Sequence, residues 1–373
     1  MFARGITFNR SESTALAAIV FVALLPMTPA SPQASPPTTV QVAVRLQSSG
    51  DIPVAGALVA LLDGRDSVVA EGLSTESGRR MLRAPPGTYR VRARRIGFLP
   101  YISPPVGLPR EGELVLAVET PRVVLQSIVV NSRSPCKRSD KGQDALGVVW
   151  DEIDKALRAS QLTIDDLKGF GQALSYRTQV GPNGAVVSTD TTFMPIKETR
   201  PFGAIDPVTL ATRGYVLGDP YQGWQYFAPD EVVLRSEDFA STHCFRVVRE
   251  RDRRGEIGVA FEPVPERKIS EIAGVLWVDE RTAELREIIF RFVNAGVFSQ
   301  FDAGGFTRFT RVPSGAWLVS NWQLRVPLLT MRRSPYSGEQ FSIVGYAENG
   351  GGILASNRPA AKIADIPIRK RSP

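Results

Sequence analysis

The chain reads as a mainly β protein: a seven-stranded sandwich near its start, then one helix, then a larger antiparallel β-domain. Three observations predict this. Short runs with period-two alternation recur between turn residues over positions 40–130. One stretch of helical spacing follows, in Leu146, Val149, Trp150, Ile153 and Leu157. Longer alternating runs separated by turn signals then continue to residue 350. With 373 residues, 43% hydrophobic and 22% charged, the composition is that of a folded protein large enough for two cores.

Residues 1–34 read as an export signal. Arg4 and Arg10 form a basic start, positions 15–25 are an apolar run short for a bilayer, and Thr28-Pro29-Ala30 or Pro32-Gln33-Ala34 is a small-residue exit. A retained signal anchor is the alternative. No cysteine follows the apolar run, so a lipoprotein anchor is not expected.

The sandwich strands are predicted at 40–46, 57–62, 67–73, 79–82, 89–95, 113–118 and 123–130, punctuated by Asp63-Gly64, Ser77-Gly78 and Pro86-Gly87. In the fifth of these, Tyr89, Val91 and Ala93 alternate with Arg90, Arg92 and Arg94, so the three arginines share one face. That face is either a binding surface for phosphate, uronate or lipid headgroups, or a solvated outer face with Glu113 and Asp51 nearby.

The turn at Gly78, the run Gly87-Thr88-Tyr89 and the upstream strand 56–62 resemble the carboxypeptidase regulatory-like domain, a transthyretin-like β-sandwich usually found on exported proteins. The resemblance covers residues 40–130; Arg79, Arg80 and Met81 stand where that family commonly has a polar residue and an aromatic. It implies a fold and an exported setting, and names no ligand. Residues 125–130 also resemble the junction before the plug of TonB-dependent outer-membrane receptors, although the following chain is too short for such a barrel.

Residues 131–143 have linker composition around Cys136. A helix is predicted with Asp144 as its N-cap and Trp150 as a core anchor. Strands are expected at 173–180, 186–193, 244–249, 256–261, 272–279, 285–293, 305–312, 316–326 and 339–346, and residues 351–373 as a solvated tail. The hairpin spanning 274–290 is similar to the curved sheets of periplasmic lipoprotein carriers, which lay an apolar concave face over a helix and hold acyl chains. By that resemblance the domain at 144–350 is a curved antiparallel sheet with a helix.

The net charge of +7 is spread along the chain and suits weak attraction to anionic envelope surfaces, or is only an arginine-rich composition; nucleic acid is not an expected partner. Two cysteines, Cys136 and Cys244, in an exported chain suggest a disulfide, with two buried thiols as the alternative. The single histidine, His243, cannot supply the ligands of a catalytic zinc, so zinc carboxypeptidase activity is not expected, and no metal or cofactor is. His243 beside Cys244 would point away from it on a strand, which disfavours a cysteine nucleophile. Trp224, Tyr226 and Asp230 could line a sugar-like groove, with Pro229-Asp230 read alternatively as a turn.

The expectation is therefore a non-catalytic binding or scaffold protein, periplasmic or outer-membrane-associated, meeting polysaccharide, lipid or an outer-membrane protein and not integral to the membrane after signal cleavage. A periplasmic carrier of amphiphiles and a carboxylate-dependent glycan hydrolase are the alternatives.

Overall fold

The computed structural model describes residues 39–119, 122–123, 125, 140–167, 172–195, 205–219, 223–301, 303–312, 315–334 and 338–354. The expected export signal, Cys136 and positions 355–373 lie outside the described residues.

The protein is mainly β, as the alternation predicts. Its first part carries β1 (Val40–Ser48), β2 (Ile52–Pro53), β3 (Leu58–Leu62), β4 (Val68–Leu73), β5 (Arg79–Ala84), β6 (Gly87–Arg94), β7 (Tyr101–Ile102), β8 (Val106–Leu108) and β9 (Leu114–Ala117). One sheet runs β2-β1-β5 with β9 parallel to β1, and the other runs β4-β3-β6-β7 with β8 also on β6. Val42, Val44 and Leu46 of β1 meet Val59, Leu61 and Val91 of β3 and β6 in the core between them. The nine strands exceed the seven expected because β2, β7 and β8 are too short to show an alternation. At positions 123–130 the described residues show no strand: Arg122 makes an isolated bridge to Phe98, and residues 126–130 lie outside the description.

All five residues of β3 are buried. Val59 and Leu61 face the sandwich core, whereas Leu58 joins a second core with Leu73 and Ile96. That second core is built on helix α1 (Asp140–Leu167), through Val149, Ile153, Ala156 and Leu157. The helix starts before the expected N-cap Asp144, so residues 140–143 belong to it and not to a linker. Its first turn, Asp140 to Gln143, is polar and gives no apolar period from which a start could be read.

The second part comprises β10 (Gln172–Val180), β11 (Val186–Pro195), α2 (Pro207–Arg213), β12 (Val216–Asp219), β13 (Gly223–Tyr226), α3 (Glu231–Leu234), α4 (Glu237–Thr242), β14 (His243–Val248), β15 (Glu256–Pro263), β16 (Glu271–Asp279), β17 (Leu285–Val293), β18 (Gly304–Arg311), β19 (Trp317–Ser334) and β20 (Gly338–Leu354). Its nine-stranded antiparallel sheet runs β11-β10-β20-β19-β18-β17-β16-β15-β14. Bulges at Trp277/Val278, Arg308/Phe309 and Leu328/Leu329 bend and twist it. Helix α1 lies on one face, against Ile257, Phe261, Leu276 and Trp317. Strands β19 and β20 outrun their expected ends. Pro327 follows the expected end of β19 but lies inside it, two residues past Arg325, the last residue paired with β18, and opposite Tyr346 of β20. Gly350 lies within β20, where a Cβ would meet the Tyr176 ring at 2.2 Å, so the glycine makes room for that ring. No described helix is long and apolar enough to cross a membrane.

Candidate functional site

Beyond β6 the chain leaves its sheet through Arg95, Ile96, Gly97 and Phe98, and this loop is fixed from three sides. Gly97 adopts φ +82°, and a Cβ there would come within 2.7 Å of the Thr282 carbonyl in the turn after β16. The Gly97 N–H donates to Glu152 Oε2 at 2.6 Å, and its carbonyl accepts from the Val123 N–H at 2.9 Å. Lys155 Nζ donates to the Phe98 carbonyl at 2.8 Å, and meets Glu152 Oε1 at 2.7 Å and Asp151 Oδ2 at 2.8 Å. Lys155 and Glu152, both inside α1, are at most 1% exposed. Burial pushes the Glu152 carboxyl above its usual range, opposed by the Lys155 ammonium and the Gly97 amide. Two buried charges of opposite sign thus satisfy the loop's backbone, which holds its side chains in place.

The loop forms one wall of a recess of about 430 Å³ at the end of the sandwich. Its floor is apolar, made of Leu46, Val54, Ala57, Ala93 and Val118. Ser48, Ser49, Leu99 and Glu119 complete the lining with Arg95 and Phe98. Glu119 is engaged by Ser49, whose Oγ lies 2.5 Å from Oε1. The Arg95 guanidinium stands 4.9 Å from the centroid of the Phe98 ring, and Arg122 stands 5.7 Å from the same centroid. The Nε of Arg95 is buried without a hydrogen-bond partner. Burial lowers the Arg95 pKa, and the nearby Arg311 and Arg122 cations lower it further. Arg311 has its own counter-charge in Glu284 at 2.8 Å, whereas no described carboxylate pairs with Arg95. The arrangement offers an apolar floor, hydroxyls, the Glu119 carboxylate and a cation with no described ion-pair partner.

The arginines at 90, 92 and 94 do share a face, with Tyr89, Val91 and Ala93 buried on the other. Neither sequence reading, a binding surface or a solvated outer face, describes all of it: Arg90 and Arg94 are ion-paired, and Arg92 is half-buried with no hydrogen-bond partner at its Nε. Arg94 Nη2 meets Asp151 at 2.8 Å and Asp154 at 3.0 Å on α1, and Arg90 pairs with Asp66. Burial lowers the Arg94 pKa, but the two aspartates outweigh it and the net direction is upward. Arg80 with Asp166 and Arg158 with Glu71 extend the same seam between sandwich and helix. The partners are the α1 carboxylates Asp151 and Asp154 for Arg94 and the turn residue Asp66 for Arg90, and not Glu113 and Asp51, which instead bind Arg79 and Gln47.

The expected groove of Trp224, Tyr226 and Asp230 is closed. Trp224 and Tyr226, on β13, pack edge-on against Phe298 with centroids 4.7 and 5.4 Å away. Asp230 is 4% exposed and N-caps α3, accepting from the Val232 and Val233 amides at 3.0 and 2.9 Å. The cavity beside it is about 10 Å³, at most the room of one water. That same cavity lies between α1 and the sheet, so this part of the sheet face has no space for an acyl chain.

His243 is 4% exposed, stacked on Phe239, with Nδ1 3.2 Å from the Phe239 carbonyl and Nε2 3.1 Å from the Ile272 carbonyl. Burial lowers its pKa to about 4, and the two carbonyls pull upward without prevailing. Cys244 follows it on β14, and its expected partner Cys136 lies outside the described residues. A sequence reading misses Arg95, Phe98, Glu152 and Lys155 as a group. The available signal is the broken alternation at Arg94-Arg95, with a glycine two residues further on at Gly97.

No family model matches the chain, and no curated protein does. Among solved structures it is similar to the crystal structure of BcpA, the major pilin subunit of Bacillus cereus, at 8% identity over 84% of this chain and 95% of that one. The TM-score is 0.18, too low to relate the two folds.

Proposed function

We propose that the chain is a non-catalytic exported binding or scaffold protein of the cell envelope, in which a carboxypeptidase regulatory-like, transthyretin-like sandwich presents the recess and α1 with the nine-stranded sheet holds it rigid. The recess on the pinned 95–98 loop is the observation that carries this reading. A preformed concavity with an apolar floor and few polar groups suits a small ligand. The export signal at 1–34 and the module resemblance support a periplasmic or outer-membrane-associated setting, and the resemblance of residues 125–130 supports association with a TonB-dependent receptor. We also propose that Cys136 and Cys244 form a disulfide, which fits the cysteine count and Cys244 not being a free thiol. Among the described residues, the sandwich recess is the ligand site that the carrier reading would use. The hydrolase reading lacks an available acid at Asp230, whose carboxylate holds two backbone amides.

Native mass spectrometry of the protein purified from its own envelope tests the proposal. The expected result is a small-molecule adduct on wild type, absent from Ala93→Leu, which fills the floor, and from Ser49→Trp, which blocks the rim. A bare wild-type mass, or recovery of the chain only from the cytosol, would contradict it.

A further inference from the structure

We infer that the recess binds small organic oxyanions, a carboxylate or phosphate carried on an apolar body, with Arg95 as the anion-binding residue. The inference rests on the recess being a ligand site. It comes from a contrast among the arginines. Arg94, Arg158, Arg253 and Arg267 are half-buried and each has a carboxylate within the chain. Arg95 is half-buried too, with no described carboxylate and a buried Nε without a partner, as in Arg45, Arg92 and Arg246; unlike those three it lines the recess and has the cations Arg122 and Arg311 as neighbours. A guanidinium withdrawn from water beside two like charges is unfavourable until an anion arrives. The Glu119 carboxylate on the same lining accepts a hydrogen bond from Ser49 and makes no ion pair with Arg95 among the described residues.

The rest of the recess limits what the anion is attached to. Leu46, Val54, Ala57, Ala93 and Val118 form a floor that gains nothing from a bare ion, while the Phe98 ring offers a flat apolar wall beside the guanidinium. A volume of about 430 Å³ accommodates an aromatic or short aliphatic body with one acidic group. Planar guanidinium favours two-oxygen recognition, which carboxylate and phosphate share.

Titration calorimetry on the full chain with phenyl phosphate, benzoate, inorganic phosphate and neutral benzyl alcohol decides the matter. Phenyl phosphate or benzoate should bind at least about 10-fold tighter than benzyl alcohol and than inorganic phosphate; the tighter of the two names the acid. Arg95→Gln should weaken the anionic probes about 10-fold or more and leave benzyl alcohol unchanged, with Arg95→Lys between them. Arg90→Gln, whose residue is paired with Asp66, should change nothing. Equal affinity for charged and neutral probes on wild type, or anion binding indifferent to Arg95→Gln, would overturn the inference, and the wild-type comparison stands even if the variant fails to fold. A neutral adduct on the envelope-purified protein would overturn the oxyanion inference and leave the binding-protein reading intact. No binding of any probe also overturns the inference, whereas the binding-protein reading rests on the envelope mass alone.

Discussion

Individual side chains here are decided by burial and partners that lie far off in sequence. His243 is the chain's single histidine, so its titration is observed without assignment. Its folded pKa, lowered to about 4, lies below the unfolded value, so the native state resists protonation while the unfolded state accepts it. Stability from this group is therefore complete above about pH 6.5 and is lost as pH falls toward 4. Urea unfolding at pH 7 and pH 5 should differ by about 2 kcal/mol more in wild type than in His243→Gln, and the imidazole should stay neutral by NMR at pH 5. A protonated imidazole at pH 6 would contradict the burial argument. Alternation in the sequence did reveal that Arg90, Arg92 and Arg94 share a face. It could not reveal that this face meets Asp151 and Asp154, because those carboxylates sit more than fifty residues on, across a boundary between elements.

Among elements, α1 does the most. Its apolar stripe was legible from Val149, Ile153 and Leu157, but nothing in the helical period marks Lys155 and Glu152 as buried. In the fold they are buried and satisfy the 95–98 loop. Lys155→Met leaves Glu152 buried without its cation, and should cost about 3–5 kcal/mol in urea unfolding, with a loss of ligand binding beyond that expected from stability. Gly97→Ala meets both the left-handed φ and the Thr282 carbonyl, and should cost about 1–3 kcal/mol. If either variant unfolds like wild type, the loop is not held as described. The long hairpin of β19 and β20 shows the limits of punctuation: Pro327 and Gly350 both stand inside strands, and Gly350 is there because a Cβ would meet the Tyr176 ring.

At the scale of the molecule, the described residues from 39 to 354 cluster as one compact unit, and the sandwich contributes Leu58, Leu73 and Ile96 to the core of its neighbours. A fragment ending at residue 125 would expose those three and strand Arg80 and Arg94 from Asp166 and Asp151. It should aggregate or melt at least about 10 °C below the full chain; an isolated sandwich of full stability would show that the seam contributes nothing. The two β regions and the helix between them were readable from periodicity. Their union was not, since it depends on β3 being buried on both faces and on charge pairs between separate elements. The central claim is that the recess, and not the arginine row on β6, receives the anion. NMR titration of the full chain with phenyl phosphate, following arginine Nε and backbone amide signals, measures this directly. The expected result is that Arg95, Phe98, Ala93 and Val118 shift together and saturate while Arg90 and the Nε of Arg94 stay fixed; shifts that begin at Arg90, Arg92 or Arg94 and leave Arg95 unmoved would contradict it.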